Sequence, residues 1–387
     1  MSDQQNESDA ATPGGLTTRR RIPSLLRSGE RPKKARWCLG ALLLGGALLA
    51  RQDAVNISKV NISPGEFGWP SVVLSNATAE VIVVPSIGRV MSFRLVRPDG
   101  TGDATPFWRN TAVRGKAVDP ASNTWLNFGG DKTWPAPQSQ WPQLAGRAWP
   151  PPPGFDAAVN QAELSGTAGL GPNQMALVSP VDAKYGIRVR RVITLDEKRP
   201  ILTIETTYTK MTGPGVRVSV WVVTQTRSPE RVFAVAAAHS KFLKGFQLQS
   251  ETMPIDLRRD GDLISLTRGR QSATKIGVDG DTLIWVGKAD ESSKGGGLGT
   301  SLRIDTHTTG SDNQRDTEWP DQGCHAEIYT NPDNSELGPG LTYVEMETLG
   351  PLRFLKEGET VTQTNVYRLR QRTETDPIAE ARKFLAE

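Results

Sequence analysis

The chain has 387 residues, with 46 Lys and Arg against 42 Asp and Glu. Nine of the basic and four of the acidic residues lie in positions 1–51, so the remainder carries 37 against 38 and offers no basic footprint for nucleic acid. Beyond residue 51 the one cysteine is Cys324, which excludes an intrachain disulfide there.

Residues 1–36 are polar, with basic groups at Arg19-Arg20-Arg21 and Lys33-Lys34-Ala35-Arg36. The uncharged run 37–50, WCLGALLLGGALLA, is shorter than the roughly 20 residues of a comfortable bilayer span but suits the apolar core of a secretory signal. The expectation is an exported protein, periplasmic or of the cell envelope. It would contact the membrane only through this segment, if the segment stays uncleaved. Residues 52–387 show no composition shift that would divide them, so a leader over 1–51 and one domain over 52–387 are expected.

From Asn56 onward, β-rich runs alternate with Gly, Pro, Asn and Asp. Strands are predicted at Ser71–Asn76, Glu80–Pro85, Arg89–Arg97, Met175–Ser179, Gly186–Leu195, Ile201–Lys210, Val216–Thr226, Leu263–Thr267, Thr282–Gly287, Thr300–Asp305, Ala326–Thr330, Leu341–Thr348 and Thr360–Leu369. Many short strands with turn signals between them point to an all-β fold, a large antiparallel sandwich or barrel. One helix is expected, at the end of the chain, where Thr375-Asp376-Pro377 reads as a cap and first turn before IAEARKFLAE.

The segment Trp125–Asp156 interrupts this pattern with Trp125, Trp134, Trp141 and Trp149 among many prolines. Proline removes backbone donors, so the segment reads as a long ordered loop and not as a helix or a central strand. Such loops often line binding sites, and the alternative is a structural cap on one end of the β core. In Val216–Gln225, alternation places Val216, Val218, Val220 and Val222 on one face and Arg217, Ser219, Trp221, Val223 and Gln225 on the other. His325, Glu327 and Tyr329 share a face of one late strand, and Tyr343, Glu345 and Glu347 a face of the next. The two carboxylates Glu345 and Glu347 stand about 7 Å apart by strand rise. On a solvated face they are surface charge; in a partly closed concavity they become candidates for acid–base work.

The three histidines, His239, His307 and His325, fall in separate segments without metal-ligand spacing, and no metal or cofactor is expected. The chain has no Gly-x-Ser-x-Gly elbow and no P-loop. The run Lys294–Gly299 reads as a flexible loop.

Several segments taken together carry a resemblance: Val84–Phe93, then Asn127-Phe128-Gly129-Gly130-Asp131-Lys132-Thr133-Trp134-Pro135-Ala136-Pro137-Gln138, then Trp149 to Pro153, the strand Trp221–Gln225, and Tyr343 to Pro351. Over most of residues 55–370 the chain resembles a bacterial domain-of-unknown-function family of galactose mutarotase-like, aldose 1-epimerase-like supersandwich fold. The resemblance implies a large antiparallel β-sandwich whose concave sheet binds a mono- or oligosaccharide. Glu347, followed by Thr348-Leu349-Gly350-Pro351 and then Leu355-Lys356-Glu357-Gly358-Glu359, is similar to the catalytic glutamate of the epimerases, with Glu345 beside it. No segment matches the epimerase's mid-chain histidine string, which leaves His239, His325 or Lys132 as the proton donor. Arg89, Asn127, Asp131, Lys132, Trp134, Gln138, Trp149, Trp221, Gln225 and Tyr343 are the implied sugar-binding residues. Three functions stay open at this level: a carbohydrate-binding protein, a sugar-active enzyme (epimerase, lyase or hydrolase), and an envelope structural protein with an unused cleft.

Overall fold

The computed structural model describes residues 67–97, 102–118, 124–156, 158–288, 298–308, 318–335 and 338–387, and the backbone alone of Asn56–Asn61 and Pro339. Residues 1–51, expected to be a leader, and most of the run 294–299 lie outside the described residues. Among those residues no helix is long and apolar enough to cross a membrane.

The β-rich runs form antiparallel strands that assemble into two large sheets. The first takes them in the order Asn56–Asn61, Ser71–Ser75, Ala79–Val84, Arg89–Leu95, Asp131–Ala136, Val216–Arg227, Tyr343–Leu349, Ala326–Thr330, Thr274–Val278 and Gln247–Leu248. The second runs Arg258–Asp260, Leu263–Leu266, Arg231–Val235, Thr282–Val286, Thr300–Thr308, Thr360–Gln371, Ile201–Lys210, Ile187–Leu195, Gln174–Val178 and Gln161–Glu163. Their inner faces meet in one core, to which the first sheet gives Val81, Phe93, Ile328 and Met346 and the second Ile193, Ile204, Leu302 and Tyr367. Each such aliphatic side chain stabilises the fold by about 1.5–3 kcal/mol on burial. This is the all-β antiparallel sandwich expected from the sequence.

The C-terminal helix Pro377–Leu385 starts where expected. The Asp376 side chain accepts from the Ala379 N–H at 2.9 Å, and Pro377 needs no donor in the first turn. Ala381 and Phe384 pack on Phe233, Ile284 and Val286 of the second sheet.

Two departures bear on function. Asp131–Ala136, inside the segment read as loop, is a strand in the middle of the first sheet. It pairs with Val216–Arg227 over its whole length but meets Arg89–Leu95 at one pair, Val90 with Asp131. Pro135 therefore lies beyond the end of that second ladder, where a missing N–H breaks no pairing. The rest of the segment holds two single helical turns, Trp141–Leu144 and Pro153–Asp156. Thr274–Val278 was not anticipated either; its Gly277 weakens the strand signal, yet a Cβ there would meet Cys324 Sγ at 2.3 Å.

Candidate functional site

The site begins with the turn that starts the Asp131 strand. Gly129 and Gly130 have φ of 87° and 70°, and a Cβ on them would meet the Trp108 and Val90 carbonyl oxygens at 2.2 and 2.6 Å. Only glycine fits both the left-handed backbone and the close approach. The tryptophan segment is then folded onto the sheet by one carboxylate. Asp156 accepts from the Trp134 indole at 2.8 Å, the Trp125 indole at 3.0 Å and the Arg89 guanidinium at 2.9 Å. Arg89, fully buried, also donates to the Gly129 carbonyl at 3.2 Å and lies over the Phe128 ring. Arg89 is thus a bracket between the loop and the glycine turn.

Antiparallel register then lines up the outer face of the first sheet. Across the strands one row reads Lys132, Val223, Glu347, Glu327 and Gly277. The next reads Gln225, Glu345, Tyr329 and Lys275, and Trp134 stands opposite Trp221. Two clusters result. In the first, Lys275 Nζ lies 2.7 Å from Glu327 Oε2, donates to Glu347 Oε2 at 2.9 Å, and stands 4.8 Å from the Trp221 ring centre. The Trp221 indole N–H donates to the same Glu347 oxygen at 2.8 Å. In the second, Glu345 Oε1 accepts from Gln225 Nε2 at 2.8 Å and lies 3.6 Å from Lys132 Nζ, which sits over the Trp134 ring at 4.9 Å. Tyr343 closes this end, with its ring 4.8 Å from that of Trp108.

These groups are buried yet incompletely paired. Lys132 Nζ and Gln225 Oε1 lack a hydrogen bond, and the Glu327 carboxylate meets only the Lys275 ammonium, although native interiors pair nearly all such atoms. Burial pushes Glu345 up to about 7, with Lys132 opposing and Glu347 adding to the shift. Burial likewise raises Glu327 to about 8 against the pull of Lys275. Burial lowers Lys132 to about 8 although Glu345 favours its charge. Burial also works against the Lys275 charge, but Glu327, Glu347 and Asp321 together hold it well above the usual lysine range. Near neutral pH the face therefore holds exchangeable protons on Glu345 and Glu327 and a fixed cation at Lys275. That is the equipment of an acid–base site or of a polar binding pocket.

The expected site residues are only partly brought together. Lys132, Trp134, Trp221, Gln225, Tyr343, Glu345 and Glu347 share this outer face. Asn127, buried in the loop before the strand, accepts from the Gly129 N–H at 3.2 Å and lies near Tyr343. Asp131 is a correction: it points inward, because strand residues alternate faces and Lys132 occupies the outer one. It accepts from Arg191, from Thr224 at 2.7 Å and from Tyr367 at 2.6 Å, wholly buried between the sheets. Gln138 lies past the strand end in the turn Gln138–Gln140, and Trp149 stands at the far side of the loop, 39% exposed. His239 is on an exposed turn after the strand Arg231–Val235. The His325 ring stacks on Trp319 at 3.6 Å and bonds Asp281 through Nδ1 at 2.9 Å, so neither histidine joins the carboxylates.

Lys275, Asp156, Asp321 and the place of Glu327 in the carboxylate cluster escaped sequence reading. Glu327 was legible as the same-face neighbour of Tyr329. Lys275 required knowing that its strand lies beside Ala326–Thr330. Asp321 approaches the cluster from a loop with φ of 50°, followed by Gln322 at 62°, and its carboxyl is raised by burial and by Glu347 while Lys275 opposes. Among the described residues no set of three or more His, Cys, Asp or Glu side chains is arranged to hold a metal.

Comparison with known protein families and with curated proteins finds no match. Solved structures similar to the chain include galactose mutarotase-like and aldose 1-epimerase structures. A nominal aldose 1-epimerase from Escherichia coli K12 is 14% identical, covering 78% of this chain and 99% of its own, with a TM-score of 0.44. A galactose mutarotase-like protein from Lactobacillus casei is 10% identical over 78% of this chain and 100% of its own, with a TM-score of 0.46. A galactose mutarotase related enzyme from Lactobacillus acidophilus is 8% identical over 79% and 98%, with a TM-score of 0.42. At such identities the chemistry has to be read from the site itself.

Proposed function

We propose that the outer face of the first sheet binds a carbohydrate, with Trp134 and Trp221 as its apolar wall and Lys132, Gln225 and Glu345 as its polar end. One observation carries this reading: a buried donor, Lys132 Nζ, set over the Trp134 ring, and a buried acceptor, Gln225 Oε1, on the same sheet face have no hydrogen bond. A purely structural face would pair them, as it pairs Asp131. A sugar hydroxyl both donates and accepts, and pyranose C–H faces suit an indole, so one ring satisfies both needs. Export, expected from the leader, would place this activity in the periplasm or envelope.

A second reading, proton transfer of the aldose 1-epimerase type, is favoured by the near-neutral titration of Glu345 and Lys132. Removing a proton from the anomeric hydroxyl while returning one to the ring oxygen needs a base and an acid that both exchange near pH 7. Glu345 fits the base better than Glu347, which is held by Lys275 and Trp221. Lys132, free of hydrogen bonds, fits the acid.

Glycan-array binding and anomer-exchange NMR of free aldoses test the two readings. Array binding that falls about tenfold or more in Lys132→Met supports the first, and absence of binding to any sugar overturns it. Exchange accelerated by the wild type and reduced about a hundredfold in Glu345→Gln supports the second. An exchange rate unchanged by the wild type removes it.

A further inference from the structure

On the other side of the tryptophan loop lies a groove of about 980 Å³ that shares none of Lys132, Glu345 or Glu347. This is at the upper end of the range for small-ligand pockets, roughly 300–1,000 Å³, and larger than one sugar ring needs. Trp69, Trp149 and Pro180 are among its apolar walls, and Lys116, Arg147 and Lys184 line it as cations.

Trp149 is the informative wall. It is 39% exposed, unusual for a residue with so much apolar surface. Its other side is fixed by ring contacts at 4.9 Å to Trp125, 6.0 Å to Trp134 and 6.3 Å to Trp141. An indole held this firmly, with one side left facing a groove, is a preformed stacking surface that loses little entropy when a ring settles on it. Trp69 is fixed too, its N–H donating to the Lys116 carbonyl at 3.0 Å and its ring set edge-on to Phe128 at 5.5 Å.

The charge of the groove departs from that of the molecule. Beyond residue 51 the chain is nearly neutral, whereas among the described residues that line the groove there are three cations and one carboxylate, Asp182. Asp182 is engaged by its own turn, accepting from the backbone N–H groups of Lys184 at 3.0 Å and Tyr185 at 2.9 Å. Ser86 adds a buried hydroxyl without a hydrogen-bond partner. The groove thus combines flat apolar walls, a surplus of positive charge and an unsatisfied polar atom.

We propose that this groove binds an acidic oligosaccharide, a chain of pyranose rings bearing carboxylates. Trp149 stacks on a ring, and Lys116, Arg147 and Lys184 meet the carboxylates. The inference is independent of the sheet-face reading, and the two fail separately. Calorimetric titration of the full chain with short oligogalacturonides and with neutral cello-oligosaccharides of equal length tests it. The acidic series is expected to bind about tenfold tighter or more, and to weaken steeply with added salt. Lys116→Glu combined with Lys184→Glu, both at exposed positions, is expected to cost the acidic series about tenfold or more while leaving aldose binding at the sheet face unchanged. Trp149→Ala is expected to weaken the acidic series by a similar factor. Equal affinity for neutral and acidic oligosaccharides, no binding of the acidic series, or undiminished affinity in the charge-reversed variant would each overturn the proposal.

Discussion

Asp131 and Lys132 are neighbours in the chain and opposites in environment. Both are wholly buried charged residues on the same strand. Asp131 faces the space between the sheets and is fully engaged by Arg191, Thr224 and Tyr367. Lys132 faces outward, with Glu345 no nearer than 3.6 Å and no hydrogen bond at all. A buried charge that is completely paired belongs to the architecture, whereas one left open beside aromatic rings is available to a ligand. A weaker form of the contrast holds along the face, where Glu347 is held by both Lys275 and the Trp221 indole while Glu327 has the Lys275 ammonium alone.

Four measurements can break or sharpen that contrast. The largest effect is expected at Asp131: Asp131→Ala leaves Arg191 and Tyr367 buried without their partner and should cost about 3–5 kcal/mol in urea unfolding followed by tryptophan fluorescence. A loss below about 1 kcal/mol would show that the inward network is not structural. Next, Glu345→Gln should reduce any aldose exchange activity about a hundredfold with little change in unfolding midpoint. A variant that loses stability as Asp131→Ala does would place Glu345 with the architecture instead.

Lys132→Met keeps most of the side chain's volume but removes the ammonium 3.6 Å from Glu345. Its stability should change by no more than about 1 kcal/mol, because burial already disfavours the lysine charge and Glu345 can keep a proton in its place, while sugar binding weakens about tenfold. The smallest effect concerns pH. Folded Glu327 keeps its proton up to about pH 8, against the ordinary 4.5, and Glu345 keeps its own to about 7. Between the ordinary and the folded values the folded chain binds more protons, so these groups favour the fold most at the acid end and lose that contribution as pH rises. Lys132 acts in the opposite sense, but between about 8 and its ordinary 10.5, outside this window. The melting temperature should therefore rise as pH falls from 8 to 5, and Glu327→Gln should flatten the rise by on the order of 1 kcal/mol. An identical slope in that variant would mean that Glu327 is ionised in the fold.

Part of the site was legible from alternation alone. Tyr343, Glu345 and Glu347 share a face in any strand, as do Trp221 and Gln225, and that is how they stand here. Asp131 was misplaced because its segment, dense in proline, was read as a loop, where the period of two does not apply. Once it is a strand, Lys132 and Trp134 must face one way and Asp131 and Thr133 the other. Lys275 was invisible in the sequence for a different reason. Its strand is five residues long with a glycine inside, and it meets Glu327 and Glu347 only through sheet order.

By itself the sequence determined the all-β class, the capped terminal helix, the residues that share a strand face, and the glycine pair on which the central turn depends. These are local matters, decided by side-chain period, turn chemistry and allowed backbone angles within a few residues. The tertiary structure alone decided which strands became neighbours and which outward faces were then covered. Those two facts bring Lys275 to Glu347, leave Lys132 without a hydrogen bond, and set Trp149 at the edge of a groove. Pairing and desolvation depend on what lies across the sheet or above it, and those neighbours are tens to hundreds of residues away in the chain.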